Sequence, residues 1–199
     1  MRKRATVIFI TFLLGGFGAK SYYDTLPNVY NYTGENFTIT DSTTFKTKDF
    51  IKHSTKTYRE RNITVADTFS VYIHHLAVPA SSSISGIMNY HVNSHGWPAI
   101  GYHSGIKENG DILLFNSLET ISYHTRGQNT KGISIVLWGN YMDEYPKKEQ
   151  IESLEIVLDA LRQSVNIGEV SVHRRAPNAR TSCPGDDAVK TLRYYGIIE

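Results

Sequence analysis

The chain has 199 residues, 40% of them hydrophobic and 12% aromatic, and a net charge of +2. That length suits one ordinary domain with an appendage and excludes two full domains. The charge is too small and too dispersed for a nucleic-acid binder, which needs a dense basic surface, and the single cysteine, Cys183, excludes an internal disulfide framework.

The chain opens on Met1-Arg2-Lys3-Arg4 and an apolar run from Ala5 to Ala19. A basic start followed by about 15 apolar residues fits a secretory signal and is short for a membrane span of about 20. A cut after Ala19 would set Phe17 where a small side chain is expected, so cleavage and retention as a signal anchor in contact with the membrane both stay open. In either case the positive end stays in the cytoplasm and the rest is exported, giving an extracytoplasmic protein of the cell envelope or a secreted one. Residues 20–65 are rich in Tyr, Thr and Asn with no sustained period, and read as an irregular extension or tether. The sequons at Asn31, Asn36 and Asn62 read as accidents of a Thr-rich composition.

The ordered domain is expected over 66–199. Phe69 to His74 alternates apolar and polar, as a half-buried strand does, and parity sets His74 opposite Phe69, Val71 and Ile73 while His75 points the other way. Ser81 to Asn93 predicts a helix burying Ile84, Met88 and Val92. Gly101–Ile106, the Glu108-Asn109-Gly110-Asp111 turn and Ile112–Phe115 predict a hairpin. Ile133 to Trp138 is apolar almost throughout, which suits a central strand covered on both faces. After Pro146, the spacing of Ile151, Leu154, Leu158, Leu161 and Val165 predicts an amphipathic helix. A short strand at Val170–Val172, an irregular loop from Arg174 to Gly185 and a last helix capped by Asp186 or Asp187 complete the chain. Strands and helices interleave, so the expected class is α/β, a single domain with a central mixed sheet flanked by helices.

His74 at the end of the first strand, His173 after Val172 and Cys183 ten residues on offer two neutral nitrogens and a thiolate. Tetrahedral zinc prefers such donors, and three of them leave a fourth position for water. Spread over about 110 residues, that constellation is weakly specific by itself.

Five segments make it specific. Ile73-His74-His75, His95-Gly96-Trp97-Pro98-Ala99-Ile100-Gly101-Tyr102-His103, the turn at 108–111, His124 to Asn129 with Gly139-Asn140-Tyr141, and Val172-His173-Arg174 leading to Ser182-Cys183-Pro184-Gly185 occur in this order. From about Val71 to Gly185 the chain resembles the type 2 N-acetylmuramoyl-L-alanine amidases, the family of amidase-type phage lysozymes and peptidoglycan recognition proteins. The resemblance implies a cleft holding Zn2+ through His74, His173 and Cys183. It implies Tyr102 as the hydroxyl that helps hold the attacking water or the oxyanion, and Thr181 at a position that is lysine or threonine in the family. It also implies His124 and Asn129 near the substrate. The substrate would be peptidoglycan, cut between the lactyl group of the glycan and L-alanine, by a monomer. The alternative is a peptidoglycan binder on the same fold that does not cut. Departures from the pattern are the longer His173-to-Cys183 loop, Phe115-Asn116-Ser117 where an arginine is often found, and Ser134 in place of a glycine.

Plainer expectations stand beside these. His75 reads as a core or supporting histidine, and His91 and His95 as structural or surface residues. His103 reads equally as a hydrogen-bonded sheet histidine or a cleft residue. Trp97 reads as packing or as a sugar platform, and Arg174-Arg175 as a solvated pair or as a partner for a stem-peptide carboxylate.

Overall fold

In the computed structural model, residues 59–199 and Lys56 are described in full, with the backbone of three short strands before them. The apolar run at 5–19 lies outside the described residues; among those described, no helix is long and apolar enough to cross a membrane. Eight strands follow in chain order: β1 (Val29–Asn31), β2 (Asn36–Thr38), β3 (Thr44–Lys46), β4 (Thr68–His75), β5 (Ser104–Ile106), β6 (Ile112–Leu114), β7 (Gly132–Leu137) and β8 (Asn166–Val172). The main sheet has the order β1-β6-β5-β7-β4-β8, parallel at every pair except the β5/β6 hairpin, while β2 and β3 pair by themselves. A mixed sheet, as expected, is therefore the centre of the molecule.

Parity divides the core into two layers. Phe69, Val71 and Ile73 of β4 join Ile133 and Ile135 of β7 under α2 (Lys148–Ser164), through Ile151, Leu154, Val157, Leu158 and Leu161, and under α3 (Asp186–Tyr194), through Ala188 and Leu192. On the opposite face Leu113, Val136 and Trp138 pack against Ile84, Ile87 and Met88 of α1 (Ile84–Asn89). All six residues of β7 are buried, because sheet neighbours and helices cover it on every side.

Five local features differ from the sequence reading. The helix expected over 81–93 is α only to Asn89 and continues as a π turn, Tyr90–Ser94, still burying Val92. Val165 is extended rather than helical, since β8 begins beside it. That strand runs from Asn166, longer than its apolar residues suggest, because pairing with β4 from Thr68↔Asn166 onward secures an otherwise exposed edge. The cap of α3 is Gly185 at φ 98°, with Asp186 and Asp187 in the first turn.

The fifth difference lies before residue 66, where the sequence reading gives an irregular extension. It contains the three short strands, and Arg59, Glu60 and Arg61 pair with Glu119, Thr120 and Ile121. The Arg61 guanidinium donates to the carbonyls of Leu118 (2.7 Å), Thr130 (2.8 Å) and Gly132 (3.2 Å) and stacks on Phe69. This half-buried cation ties the described residues around it to the loop that enters β7.

Candidate metal centre

Two adjacent parallel strands deliver the first two candidate ligands. Ile73 of β4 lies opposite Val172 of β8, so His74 and His173 leave the sheet side by side, with ring centroids 4.6 Å apart. They sit at the carboxyl end of these strands, where open α/β sheets hold their ligands. His173 begins a single 3-10 turn rather than extending β8, which turns the chain toward the loop carrying Cys183.

Several bonds shape that loop. The Cys183 amide donates to Thr181 Oγ1 (3.1 Å), the Arg174 amide to the Cys183 carbonyl (2.9 Å) and the Gly185 amide to the Ser182 carbonyl (2.8 Å). The Arg174 guanidinium donates to the Ser182 carbonyl and pairs with Asp186 at 2.5 Å. Arg174 is thus a brace for the cysteine loop, not the solvated residue of the sequence reading, whereas Arg175 is exposed. The Cys183–Pro184 peptide is cis.

Among the described residues, one histidine, cysteine or carboxylate group can converge on a metal: one atom each of His74, His173 and Cys183, all within 4.8 Å of one another. His74 Nδ1 and Cys183 Sγ are 3.7 Å apart. Nitrogen and sulfur sharing one tetrahedral zinc stand about 3.6 Å apart, from bond lengths of about 2.1 and 2.3 Å. The donor set and its spacing fit the ion. His74 and Cys183 are buried and His173 is half-buried, which leaves the approach on the His173 side.

Burial governs the electrostatics. It holds His74 well below the usual histidine range, helped by the neighbouring imidazoles, and lowers His173. Both rings therefore keep lone pairs at neutral pH. Burial also pushes the Cys183 thiol up to about 12, against the opposing pull of the His75 amide (3.5 Å from Sγ) and the Arg174 charge. A divalent cation reverses that preference by binding the thiolate and releasing its proton.

The other candidates take distinct places. Tyr102 is half-buried with its ring 5.2 Å from that of His74. Burial and then the nearby Cys183 raise its phenol, so it remains a neutral O–H donor. Asn116 donates to the carbonyls of Ile100 and Tyr102 at 2.6 Å each, fixing the Tyr102 backbone. Thr181 is exposed, its oxygen already accepting from the Cys183 amide.

His124 is buried with its ring 5.5 Å from that of His74, and Nδ1 is 2.9 Å from Thr125 Oγ1. Its Nε2 leans on the Gly132 carbonyl without hydrogen-bond geometry. Asn129 Oδ1 accepts from the His124 and Thr125 amides, at 3.2 and 2.8 Å, so this side-chain oxygen shapes the loop. Trp97 is half-buried, stacked between His95 and Tyr123 at centroid distances of 4.7 and 5.8 Å.

His75 Nδ1 accepts from the Tyr141 amide and His91 Nδ1 from the Gly101 amide, while His95 is exposed. His103, left open between two roles, is a buried sheet histidine bonded to Ser134, Ser122 and Thr120. The sequence reading passed over Thr125, whose hydroxyl lies 3.3 Å from His74 Nε2. No spacing rule links positions 74 and 125; only the register of β4 with β7 could have brought them together.

Comparison with known proteins places this geometry. A family model described as N-acetylmuramoyl-L-alanine amidase matches residues 66–186. The N-acetylmuramoyl-L-alanine amidase of Sus scrofa is 27% identical over 136 residues, covering 63% of this chain and 23% of that protein. Peptidoglycan-recognition protein SC1a of Drosophila melanogaster is 28% identical, covering 62% and 71%. The chain spans about a quarter of the length of the mammalian relatives it matches. Among solved structures, the endolysin N-acetylmuramoyl-L-alanine amidase LysCS from Clostridium intestinale superposes with a TM-score of 0.60 at 25% identity, covering 70% of this chain and 95% of that one.

Proposed function

The chain belongs to the N-acetylmuramoyl-L-alanine amidase family, and from that premise we propose that it is a zinc-dependent amidase hydrolysing the bond between the N-acetylmuramic acid lactyl group and L-alanine of peptidoglycan. The observation that carries the reading is the convergence of His74, His173 and Cys183 on one point beside Tyr102. Members that bind without cutting typically lack the thiolate ligand, and Cys183 is present. Export by the segment 1–19, and action in the cell envelope as a monomer, belong to the same proposal.

When bound, zinc supplies Lewis acidity, polarising a carbonyl and bringing the pKa of a water to about 7. The residues of the chain do the rest. His74 and His173, held neutral by burial, and Cys183, braced by Arg174, would hold the ion without rearrangement of the sheet. Tyr102 remains protonated and donates its hydrogen bond to the oxygen on which negative charge develops; one such donor is worth about 3 kcal/mol. Thr181 Oγ1 is engaged as an acceptor, yet its O–H proton is still able to face the cleft as a second donor. Trp97 and the His124–Asn129 loop border the approach, where the glycan and stem peptide would lie.

Mass analysis of fragments released from purified peptidoglycan tests this. Free stem peptides beginning at L-alanine should appear, vanish with a chelator, return with added zinc and be absent for Cys183→Ser. Binding to peptidoglycan without release at saturating zinc would establish the non-cutting alternative, and fragments ending inside the stem would make the protein a peptidase.

A further inference from the structure

We infer that Thr125 is a positioning residue for the metal ligand His74, fixing which ring nitrogen faces the ion, and that His124 acts through it rather than on substrate. The inference rests on the zinc-site reading above and extends it to residues that touch neither metal nor substrate. His74 turns Nδ1 toward Cys183 Sγ, 3.7 Å away, and Nε2 toward Thr125 Oγ1, 3.3 Å away. An imidazole that ligates through Nδ1 carries its proton on Nε2, and the partner of that proton sets the tautomer and the ring orientation. Thr125 Oγ1 is the only partner of Nε2 among the described residues.

The proton order then follows. Having accepted from His74, the Thr125 hydroxyl still carries its own proton, and in the inferred order it donates that proton to His124 Nδ1, 2.9 Å away. His124 is thereby deprotonated on Nδ1 and protonated on Nε2, the atom set against the Gly132 backbone. The chain reads His74 Nε2–H to Thr125 Oγ1–H to His124 Nδ1. Asn129 secures its middle link, accepting from the backbone amides of both His124 and Thr125. Gly132 leaves room for the ring: a Cβ there would lie 2.8 Å from His124 Cε1.

Two measurements test the inference on the zinc-loaded protein. Zinc affinity by competition with a chromophoric chelator should fall about 10- to 100-fold in Thr125→Val, while Thr125→Ser, which keeps the hydroxyl, should restore it. Long-range proton–nitrogen spectra of the wild-type imidazoles should show His74 protonated on Nε2 and His124 on Nε2. Equal affinity of Thr125→Val and the wild type, or a His124 proton on Nδ1, would overturn the inference while leaving the amidase reading intact. A wild-type protein that takes up no zinc would overturn both. The spectra need no variant, so a Thr125→Val protein that fails to fold does not shelter the claim.

Discussion

Lowering the pH from 7.5 to 5 should cost the metal-free protein about 6 kcal/mol of stability, through histidines buried as neutral bases. Burial brings His75 and His91 down to about 4 and His103 to about 3. In the unfolded chain each titrates near 6.5, so between 6.5 and about 4 the unfolded state binds more protons. Stability is accordingly complete above pH 6.5 and is lost as the pH falls toward the folded values. At pH 5 each of the three contributes a loss of about 2 kcal/mol, roughly 6 kcal/mol together, against a total of about 5–15 kcal/mol for a typical domain. At this pH most carboxylates are still ionised, so the histidines dominate the change. Urea unfolding followed by tryptophan fluorescence, in chelator at pH 7.5, 6 and 5, measures it. His91→Asn keeps an acceptor for the Gly101 amide, which His91 Nδ1 otherwise accepts at 3.2 Å, and should shrink the loss by about 2 kcal/mol. A wild-type loss under about 2 kcal/mol at pH 5 would refute the argument that these rings are neutral because they are buried.

Three further outcomes are expected. Arg61→Ala strips hydrogen bonds from the Leu118, Thr130 and Gly132 carbonyls and should cost at least about 3 kcal/mol in urea unfolding at pH 7.5; a loss under about 1 kcal/mol would mean that water replaces the guanidinium freely. Gly185→Ala would drive a Cβ to 2.1 Å from the Tyr141 carbonyl oxygen at a φ of +98°, so it should destabilise by at least about 2 kcal/mol and weaken zinc binding by shifting the Cys183 loop. Zinc affinity equal to that of the wild type would show that the loop is held independently of this turn. Tyr102→Phe should lower kcat about 100-fold while leaving zinc affinity unchanged; a variant with full kcat would remove the hydroxyl from the reaction.

How much of this was legible in the sequence depends on what each feature needs. The candidate ligands were singled out because a metal accepts few residue types and because the family resemblance marks His74, His173 and Cys183, three residues that the fold brings within 4.8 Å of one another. Central β7 was readable from its unbroken apolar run, since complete burial leaves no polar positions. Edge strand β8 was readable only over Val170–Val172, because Asn166, Gly168 and Glu169 face solvent and only pairing with β4 makes them a strand. The π turn at Tyr90–Ser94, whose first-turn pattern is that of an ordinary helix, was not readable.

The supports of the site were illegible for a more general reason. In the proposed site one hydroxyl lies against His74, one guanidinium braces the Cys183 loop, and another ties down the loop that enters β7. Thr, Arg and Asn are common, and nothing in their sequence neighbourhood announces a partner fifty or more residues away. Arg61 and Arg174 even resemble solvated surface residues, because a long side chain can start at the surface and end inside. The proposed metal centre is therefore written in the sequence at its candidate ligands and in the fold at everything that aims them, so substitutions that spare all three are expected to disarm it too.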